Sequence, residues 1–405
     1  MKTGIKPVGN RILFGIITAA FLICPAGGRA QYFGKNKVQY RDFDWRYVQS
    51  RHFDVYYYDD QKHLAEFTAD VAESSYVELK RDLRHDIEKR IPILVYNGHN
   101  DFQQTNASQE LISESVGGFT EFLKDRIVIP FQGNYDEFRH VIHHELTHAY
   151  MLQVFYGGGV GSMLTGMTRF QLPLWLVEGL AEYESLGWDT DSDMYMRDAT
   201  INGYVPPISQ MYGYLVYKGG QSVLNYIAEK YGSPKIGEIL ASARIHKSVD
   251  RGFKQTIGVD LEELSKRWQK YLRKNYWPDI ENRDEPEDMA KRLTDHTKKQ
   301  HFLNNSPALS PRGDRLVFIS DQSDYMDIYV MRAIDGKITG KLVKGQRSDL
   351  FENLHWLRPG MDWSPDGSRV IFAAKSGAQD AIYIVQVDSK KILHQLVFDL
   401  SLIHI

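Results

Sequence analysis

The chain has 405 residues, of which 42% are hydrophobic and 25% are charged, and this balance excludes a largely disordered protein. Its formal net charge of −3 provides no basic surface of the kind that binds nucleic acid. The single cysteine excludes an intrachain disulfide and a cysteine-built metal site, whereas 14 histidines and 52 acidic residues leave imidazole and carboxylate ligands available.

The first 30 residues have the pattern of a secretory signal peptide. A basic start is followed by an apolar run at 12–23, and the small residues Gly28 and Ala30 then offer a cleavage site. The run is shorter than the roughly 20 residues that span a bilayer, which disfavours an uncleaved anchor helix. Cleavage would leave a chain of net charge −7 without a cysteine or a membrane-spanning segment. This predicts a secreted protein.

Residues 31–279 mix strand-like and helix-like patterns, which predicts an α+β domain with a core of its own. Strands are predicted where aromatic and β-branched residues cluster, at 53–58, 91–96 and 126–131. Helices are predicted from apolar periodicity at 64–83, 138–154, 174–186, 222–231 and 261–276.

One predicted helix contains the motif H-E-x-x-H at His144, Glu145 and His148. Residues four apart share a helix face, so both imidazoles can hold one metal ion. Glu145 lies one position round the helix, where its carboxylate can meet a water molecule on that metal. Apolar neighbours such as Val141 and Leu146 indicate a buried helix, and buried paired histidines are hard to satisfy without a metal. The motif therefore predicts a zinc site.

A catalytic zinc ion usually takes three protein ligands and one water molecule. Glu178 is the candidate third ligand, because it lies in an apolar helix start where an unpaired carboxylate would be costly. The alternative is a carboxylate stabilised only by the dipole at the helix N-terminus. Glu182 lies on the same helix face and could orient a ligand histidine, with an ordinary surface position as its alternative.

These two segments resemble the gluzincin metallopeptidases, the clan of thermolysin and aminopeptidase N. The resemblance rests on H-E-x-x-H at 144–148 and W-x-x-E-G-x-A at 175–181. It implies a zincin-like fold that combines a mixed sheet with a helical subdomain. It also implies one Zn²⁺ ion per chain, with Glu178 as the third ligand.

The segment that begins at Tyr217 is similar to one in the aminopeptidase N group, except that Gly219 stands where that group has lysine. The resemblance implies that Tyr217 donates a hydrogen bond to the oxyanion. Tyr204, Tyr212 and Tyr214 lie close in sequence and remain alternatives for this role.

Gluzincins carry an edge strand before the zinc helix, and an extended substrate adds to that edge. The resemblance places Gly117, Gly118 and Phe119 there, and the glycines would permit a close approach of the backbone. The G-A-M-E-N motif of aminopeptidases is absent, so the choice between endopeptidase and exopeptidase stays open.

Residues 280–300 are dense in charge and predict a linker. Beyond it, the segment from Ser310 to Phe318 is echoed fifty-four residues later, from Ser364 to Phe372. Each copy is a tight turn followed by a strand, which is typical of a radial β-array and resembles the blades of TolB-type β-propellers. Residues 301–405 are therefore predicted to form about two blades of an all-β propeller segment that is incomplete, since propellers need about four to eight.

The combination resembles bacterial periplasmic proteins of the peptidase MA-like class and predicts a secreted zinc metallopeptidase. Glu145 is expected to act as general base, while zinc and Tyr217 stabilise the negative charge on the tetrahedral oxygen. The expected substrate is a peptide or protein, and the blades are expected to present loops to a protein partner. The alternative is a non-catalytic periplasmic scaffold of the TolB type, with an inert zincin-like domain. The presence of Glu145 and of every candidate ligand favours the enzyme.

Overall fold

A computed structural model describes most of the chain. The described residues are 37, 40, 42–87, 89–108, 111–121, 124, 126–157, 166, 170–281, 283–299, 301–347, 350–357, 360–377 and 379–397. The predicted signal peptide at 1–30 lies outside them. No helix in this described part of the chain is long and apolar enough to cross a lipid bilayer.

The N-terminal half is built on a mixed five-stranded sheet. Its strands are β1 (Arg46–Gln49), β2 (Phe53–Tyr57), β3 (Ile91–Tyr96), β4 (Phe119–Glu121) and β5 (Arg126–Pro130). They lie in the order β1-β2-β3-β5-β4. The inner pairs β2–β3 and β3–β5 are parallel, whereas β1 and β4 pair antiparallel with their neighbours. Strand β4 is therefore at an edge, next to β5.

Helices pack against this sheet and then form a second layer. They are α1 (Lys62–Leu83), α2 (His99–Phe102), α3 (Tyr135–Tyr156), α4 (Leu174–Leu186), α5 (Thr190–Ile201), α6 (Leu215–Tyr231), α7 (Pro234–His246), α8 (Val249–Ile257) and α9 (Leu261–Tyr276), with a 3-10 helix at Ile208–Gln210. Helices α1 and α3 share the core of the sheet, while α4 to α9 surround a separate core that contains Trp268. The predicted α+β domain, with a mixed sheet and a helical subdomain, is confirmed.

Helix α3 joins these two cores. It begins after Asn134, whose side-chain oxygen accepts hydrogen bonds from the backbone N–H groups of Asp136 and Glu137 and so satisfies two otherwise unpaired donors. Ile142 packs with the sheet, whereas Phe155, between three and four turns later, packs with the helical core. The H-E-x-x-H motif at 144–148 consequently lies where the sheet and the helical subdomain meet.

The segment after α9 contains three short helices, α10 (Pro278–Glu281), α11 (Pro286–Met289) and α12 (His296–Lys299). Two antiparallel sheets of four strands each follow. The first contains β6 (Asn304–Leu309), β7 (Arg315–Ser320), β8 (Asp327–Arg332) and β9 (Ile338–Lys344), and the second contains β10 (Met361–Trp363), β11 (Arg369–Ser376), β12 (Gln379–Gln386) and β13 (Ile392–Val397).

Each copy of the sequence repeat forms a turn between the first two strands of a sheet. The turn requires a left-handed residue, and the glycines of the repeat, Gly313 and Gly367, supply it with φ angles of 70° and 68°. The two sheets bury a common core that includes Val317, Phe372 and Tyr383. The predicted all-β segment after the linker is thus confirmed as two stacked, blade-like sheets.

Candidate metal centre

Helices α3 and α4 bring the three predicted ligands together. His144 Nε2 lies 3.5 Å from Glu178 Oε2, and His148 Nε2 lies 3.3 Å from the same oxygen. The two Nε2 atoms are 3.1 Å apart, and all three ligand atoms lie within 4.8 Å of one another. Two imidazoles and one carboxylate are a donor set that zinc takes in catalytic sites, so these side chains fit a zinc ion.

Electrostatics keep Glu178 in the form that a metal ligand needs. Burial opposes its ionisation, but the neighbouring imidazoles of His144 and His148 lower its pKa to about 2. The carboxylate is therefore negatively charged at neutral pH.

Glu182 lies behind His144, on the side away from Glu178. Its Oε1 is 3.1 Å from His144 Nδ1, so this ring nitrogen donates to it and the lone pair on Nε2 faces Glu178. Burial would raise the pKa of Glu182, but hydrogen bonds from His140 and His144 and the charge of Lys218 hold that pKa far below its usual range. An ionised Glu182 thus fixes the orientation and tautomer of the His144 ring.

His140, His144 and Glu182 form a second group whose ligand atoms are close enough for a metal ion. The ammonium group of Lys218, however, donates to Glu182 Oε2 at 2.6 Å. This positive charge would repel a cation bound to the same carboxylate. The group that contains Glu178 is therefore the better metal site.

The ion pair between Lys218 and Glu182 is buried, since the two side chains are only 6% and 8% exposed. We expect Lys218→Met to lower the free energy of unfolding by about 3–5 kcal/mol, because the Glu182 carboxylate loses its cation while it stays buried. Lys230→Met, at an exposed position of the same helix, is the matched control and should change stability by less than about 0.5 kcal/mol. Urea unfolding measures both, and equal midpoints for the two variants would contradict this role of Lys218.

The crossing of α4 and α6 places Glu178 and Lys218 next to the histidines. A β-carbon on Gly179 would lie 2.4 Å from the backbone of Gly220, and one on Gly220 would lie 2.1 Å from the carbonyl oxygen of Trp175. Such distances are too short for any side chain. Glycine at both positions therefore lets the two helices touch backbone to backbone.

Glu145 is buried and is held by the edge strand. The hydroxyl of Thr120 lies 2.8 Å from Glu145 Oε2 and 2.9 Å from the Glu145 carbonyl oxygen, close enough to donate to either. A β-carbon on Gly118 would lie 3.2 Å from Glu145 Oε1 and 2.8 Å from a methyl group of Ile129. Glycine at 118 thus allows the chain to run directly against this carboxylate. Thr120 could not be predicted from the sequence, since no motif or spacing connects it to α3.

The three candidate ligands and Glu145 open into a cleft of about 470 Å³. Gly118, Phe119 and Thr120 line one wall, whereas Gly117 lies beside Val141 of α3. The cleft also has apolar lining from Met151, Leu152, Leu172, Leu174 and Val177. It can therefore hold an extended chain that carries an apolar side chain.

Among the four candidate tyrosines, Tyr217 is the one that lines the cleft, and its ring centroid lies 6.4 Å from that of His144. Tyr204, Tyr212 and Tyr214 are exposed to solvent. Burial, together with the charges of Glu178 and Glu145, raises the pKa of Tyr217 to about 12. The phenol consequently keeps its proton at neutral pH and can donate a hydrogen bond into the cleft.

Parts of the chain are similar to a number of solved structures. Three of these are TolB from Acinetobacter baumannii (19% identity, TM-score 0.19, 23% of this chain and 21% of that chain), the β-propeller domain of the trilobed protease from Pyrococcus furiosus (12%, 0.18, 24% and 29%) and a chain assigned as TolB from Agrobacterium tumefaciens (23%, 0.20, 27% and 33%). The chain thus spans between about a fifth and a third of the length of these three structures.

A search of curated proteins finds no match. The family model of the Peptidase MA superfamily, in contrast, matches residues 71–274, half of the chain. The matched region contains the H-E-x-x-H helix α3, the Glu178 helix α4 and the Tyr217 helix α6. The chain therefore belongs to the Peptidase MA superfamily.

Proposed function

We propose that this protein is a secreted zinc-dependent peptidase with a single zinc ion bound by His144, His148 and Glu178. The observation that carries the proposal is the convergence of these three side chains beside a buried Glu145, at the edge of a sheet. Family membership supports a peptidase-like domain. The domain itself would occupy residues 31–279, before the linker at 280–300 and the blades from 301 onwards.

A bound zinc ion would supply Lewis-acid chemistry, polarising a peptide carbonyl and lowering the pKa of water. Glu145 would take a proton from the attacking water and pass it to the leaving amine. The protonated phenol of Tyr217 would donate to the carbonyl oxygen as negative charge develops there. Glu182 would keep the His144 ring in the tautomer that presents Nε2 to the metal.

The substrate would bind along β4. Among the described residues this strand pairs only with β5, so its other edge would be available to an extended peptide. Gly117, Gly118 and Phe119 would provide the backbone contacts, and a side chain at 118 would displace Glu145. The apolar residues of the cleft support a preference for peptides with an aliphatic or aromatic side chain near the cleaved bond.

Thr120 would orient the general base. We expect Thr120→Val to lower kcat about tenfold, because Glu145 loses a hydrogen bond that is worth about 1.5 kcal/mol. Zinc content should not change, since Thr120 contacts no ligand atom within the described residues. Thr190→Val, at an exposed position at the start of α5, is the control. Steady-state kinetics on one peptide measure both variants, and an unchanged kcat for Thr120→Val would contradict the positioning role.

The proposal also covers location and partners. The signal-peptide pattern at 1–30 supports secretion, and the resemblance to periplasmic proteins of the peptidase MA-like class supports a periplasmic location. The blade-like sheets would present their loops to a protein partner, in addition to the peptide substrate in the cleft.

A peptide-library digest tests the proposed function. The zinc-loaded chain should cleave a subset of peptides, as detected by mass spectrometry, and 1,10-phenanthroline should abolish that cleavage. A scaffold with an inert zincin-like domain would leave the library intact. Cleavage that persists in a Glu145→Gln variant would point to a contaminating protease and would remove the support for the proposal.

A further inference from the structure

The second blade-like sheet touches the peptidase-like domain close to the segment that leads into β4. His355, which precedes β10, places Nδ1 3.5 Å from Oε1 of Glu114. Its other ring nitrogen, Nε2, lies 2.9 Å from Oδ1 of Asp380 in β12. These three residues, here called the interface cluster, form a carboxylate–imidazole–carboxylate arrangement between the two parts of the protein.

The interface cluster is buried. The side chains of Glu114, His355 and Asp380 are 5%, 6% and 0% exposed. Within the described residues, neither carboxylate oxygen of Glu114 has a hydrogen-bond partner, so the nearby imidazole must compensate its charge. Burial lowers the pKa of His355, but the hydrogen bond to Asp380 and the negative charges of Asp380 and Glu114 outweigh this and raise the pKa to about 9. The ring is therefore positively charged at neutral pH and attracts Glu114.

A second contact ties the same segment to the blades. Lys375, at the end of β11, donates a hydrogen bond to the side-chain oxygen of Gln103. The amide nitrogen of Gln103 in turn donates to the carbonyl oxygen of Ile112 at 3.0 Å. The segment at 111–118 is thus held from the blade side at two points, Ile112 and Glu114.

This segment continues directly into the wall of the cleft. Gly118 follows Glu114 by four residues and lies against Glu145, while Thr120 is hydrogen-bonded to Glu145. Only a few residues separate the interface cluster from the strand proposed to bind the substrate. A displacement of Glu114 would therefore shift the substrate edge at Gly117 and Gly118, whereas Thr120 stays paired with Ile127 of β5 and keeps its contact with the general base.

We infer that the second blade-like sheet positions the substrate-binding strand β4 through the interface cluster of Glu114, His355 and Asp380. Glu114 and His355 are positioning residues in this arrangement, because they act on the cleft through the intervening segment. The inference rests on the proposed function, since that function assigns β4 to substrate binding. It gives the blades a role in the reaction in addition to that of presenting loops to a partner.

Hydrogen–deuterium exchange of the full chain tests the coupling without any need for activity. Glu114→Gln and His355→Gln should each speed amide exchange in peptides that cover 111–121 by about tenfold, because the segment loses its charged anchor. His394→Gln, at an exposed position of β13, is the matched control and should leave that exchange unchanged. Glu114→Gln keeps the pair of His355 and Asp380 intact, so it decides the question even if His355→Gln fails to fold.

Kinetics of the same variants test the positioning role. We expect KM for a cleaved peptide to rise about tenfold and kcat to change less than threefold, because substrate binding along β4 is weakened. Zinc content should stay at the wild-type value. A general loss of structure would instead lower zinc content and kcat together.

The outcomes separate this inference from the proposed function. Unchanged exchange at 111–121 in Glu114→Gln would overturn the inference, and so would faster exchange with an unaltered KM. Faster exchange with a raised KM would support it. Faster exchange in a protein whose wild type cleaves no peptide would support the coupling between the two parts while overturning the proposed function.

Discussion

Replacing Glu145 with glutamine is expected to lower kcat for peptide hydrolysis by about 10²–10⁴-fold, the contribution of a well-placed general base. The amide has nearly the shape of the carboxylate and can still accept the hydrogen bond from Thr120. It cannot take a proton from water at neutral pH. Since Glu145 is not among the three proposed ligands, zinc should remain bound at the wild-type level.

The control for this variant is Glu137→Gln, an identical chemical change at an exposed position in the first turn of the same helix. It should leave both kcat and zinc content unchanged. Undiminished hydrolysis by Glu145→Gln would remove Glu145 from the mechanism. Loss of zinc from Glu145→Gln would place this residue among the ligands instead.

Replacing His144 with alanine should weaken zinc binding by more than about a hundredfold. Loss of a residue that merely orients a ligand already costs about 10–100-fold in metal affinity, and His144 would be a ligand itself. The two remaining ligands, His148 and Glu178, would hold zinc poorly. Metal analysis after gel filtration should find almost no zinc in this variant.

His140→Ala is the matched control, because His140 belongs only to the second possible metal group. It should keep its zinc if the ligands are His144, His148 and Glu178. Retention of zinc by His144→Ala would refute the proposed ligand set. Loss of zinc from His140→Ala would instead favour the second group, His140, His144 and Glu182, as the metal site.

Much of the fold could be predicted where apolar periodicity is strong. The helices at 174–186 and 261–276 and the strand at 91–96 have the predicted bounds. The sequence predicts a start of helix α6 at 222, since Gly219 and Gly220 look like helix breakers. The helix in fact begins at Leu215. In the fold, Gly220 is needed for the close crossing with α4, so packing outweighs its low helix propensity.

The elements that escaped prediction have weak patterns of their own. Helix α5 is largely polar, and it is stabilised by the Asp189 cap and by packing of Met196 in the helical core. Strand β1 has four residues, mostly exposed, and exists because it pairs with β2. The outer strands of both blade-like sheets lie outside the sequence repeat, which covers the turn and the strand that follows it. In each case, tertiary contacts supply what local sequence lacks.

The residues of the candidate site likewise divide into those that a sequence pattern predicts and those that only the fold brings into place. The spacing of the motif in one helix predicts His144, Glu145 and His148 as site residues. Glu178 is predicted because an unpaired carboxylate in an apolar segment would be costly. Thr120 and Lys218 carry no such signal. Thr120 reaches Glu145 across twenty-five residues only because β4 lies against α3, and the buried position of Lys218 depends on the crossing of α4 and α6.

Titration of zinc into the metal-free chain, with peptide hydrolysis followed at each addition, tests most directly whether the site formed by His144, His148 and Glu178 is a catalytic zinc centre. Hydrolysis should be absent without metal, rise in proportion to added zinc and level off at about one equivalent per chain, as expected for a single catalytic site. Two results would contradict a catalytic zinc centre in this protein. One is hydrolysis by the metal-free chain as fast as by the zinc-loaded chain, and the other is a complete lack of hydrolysis with zinc bound.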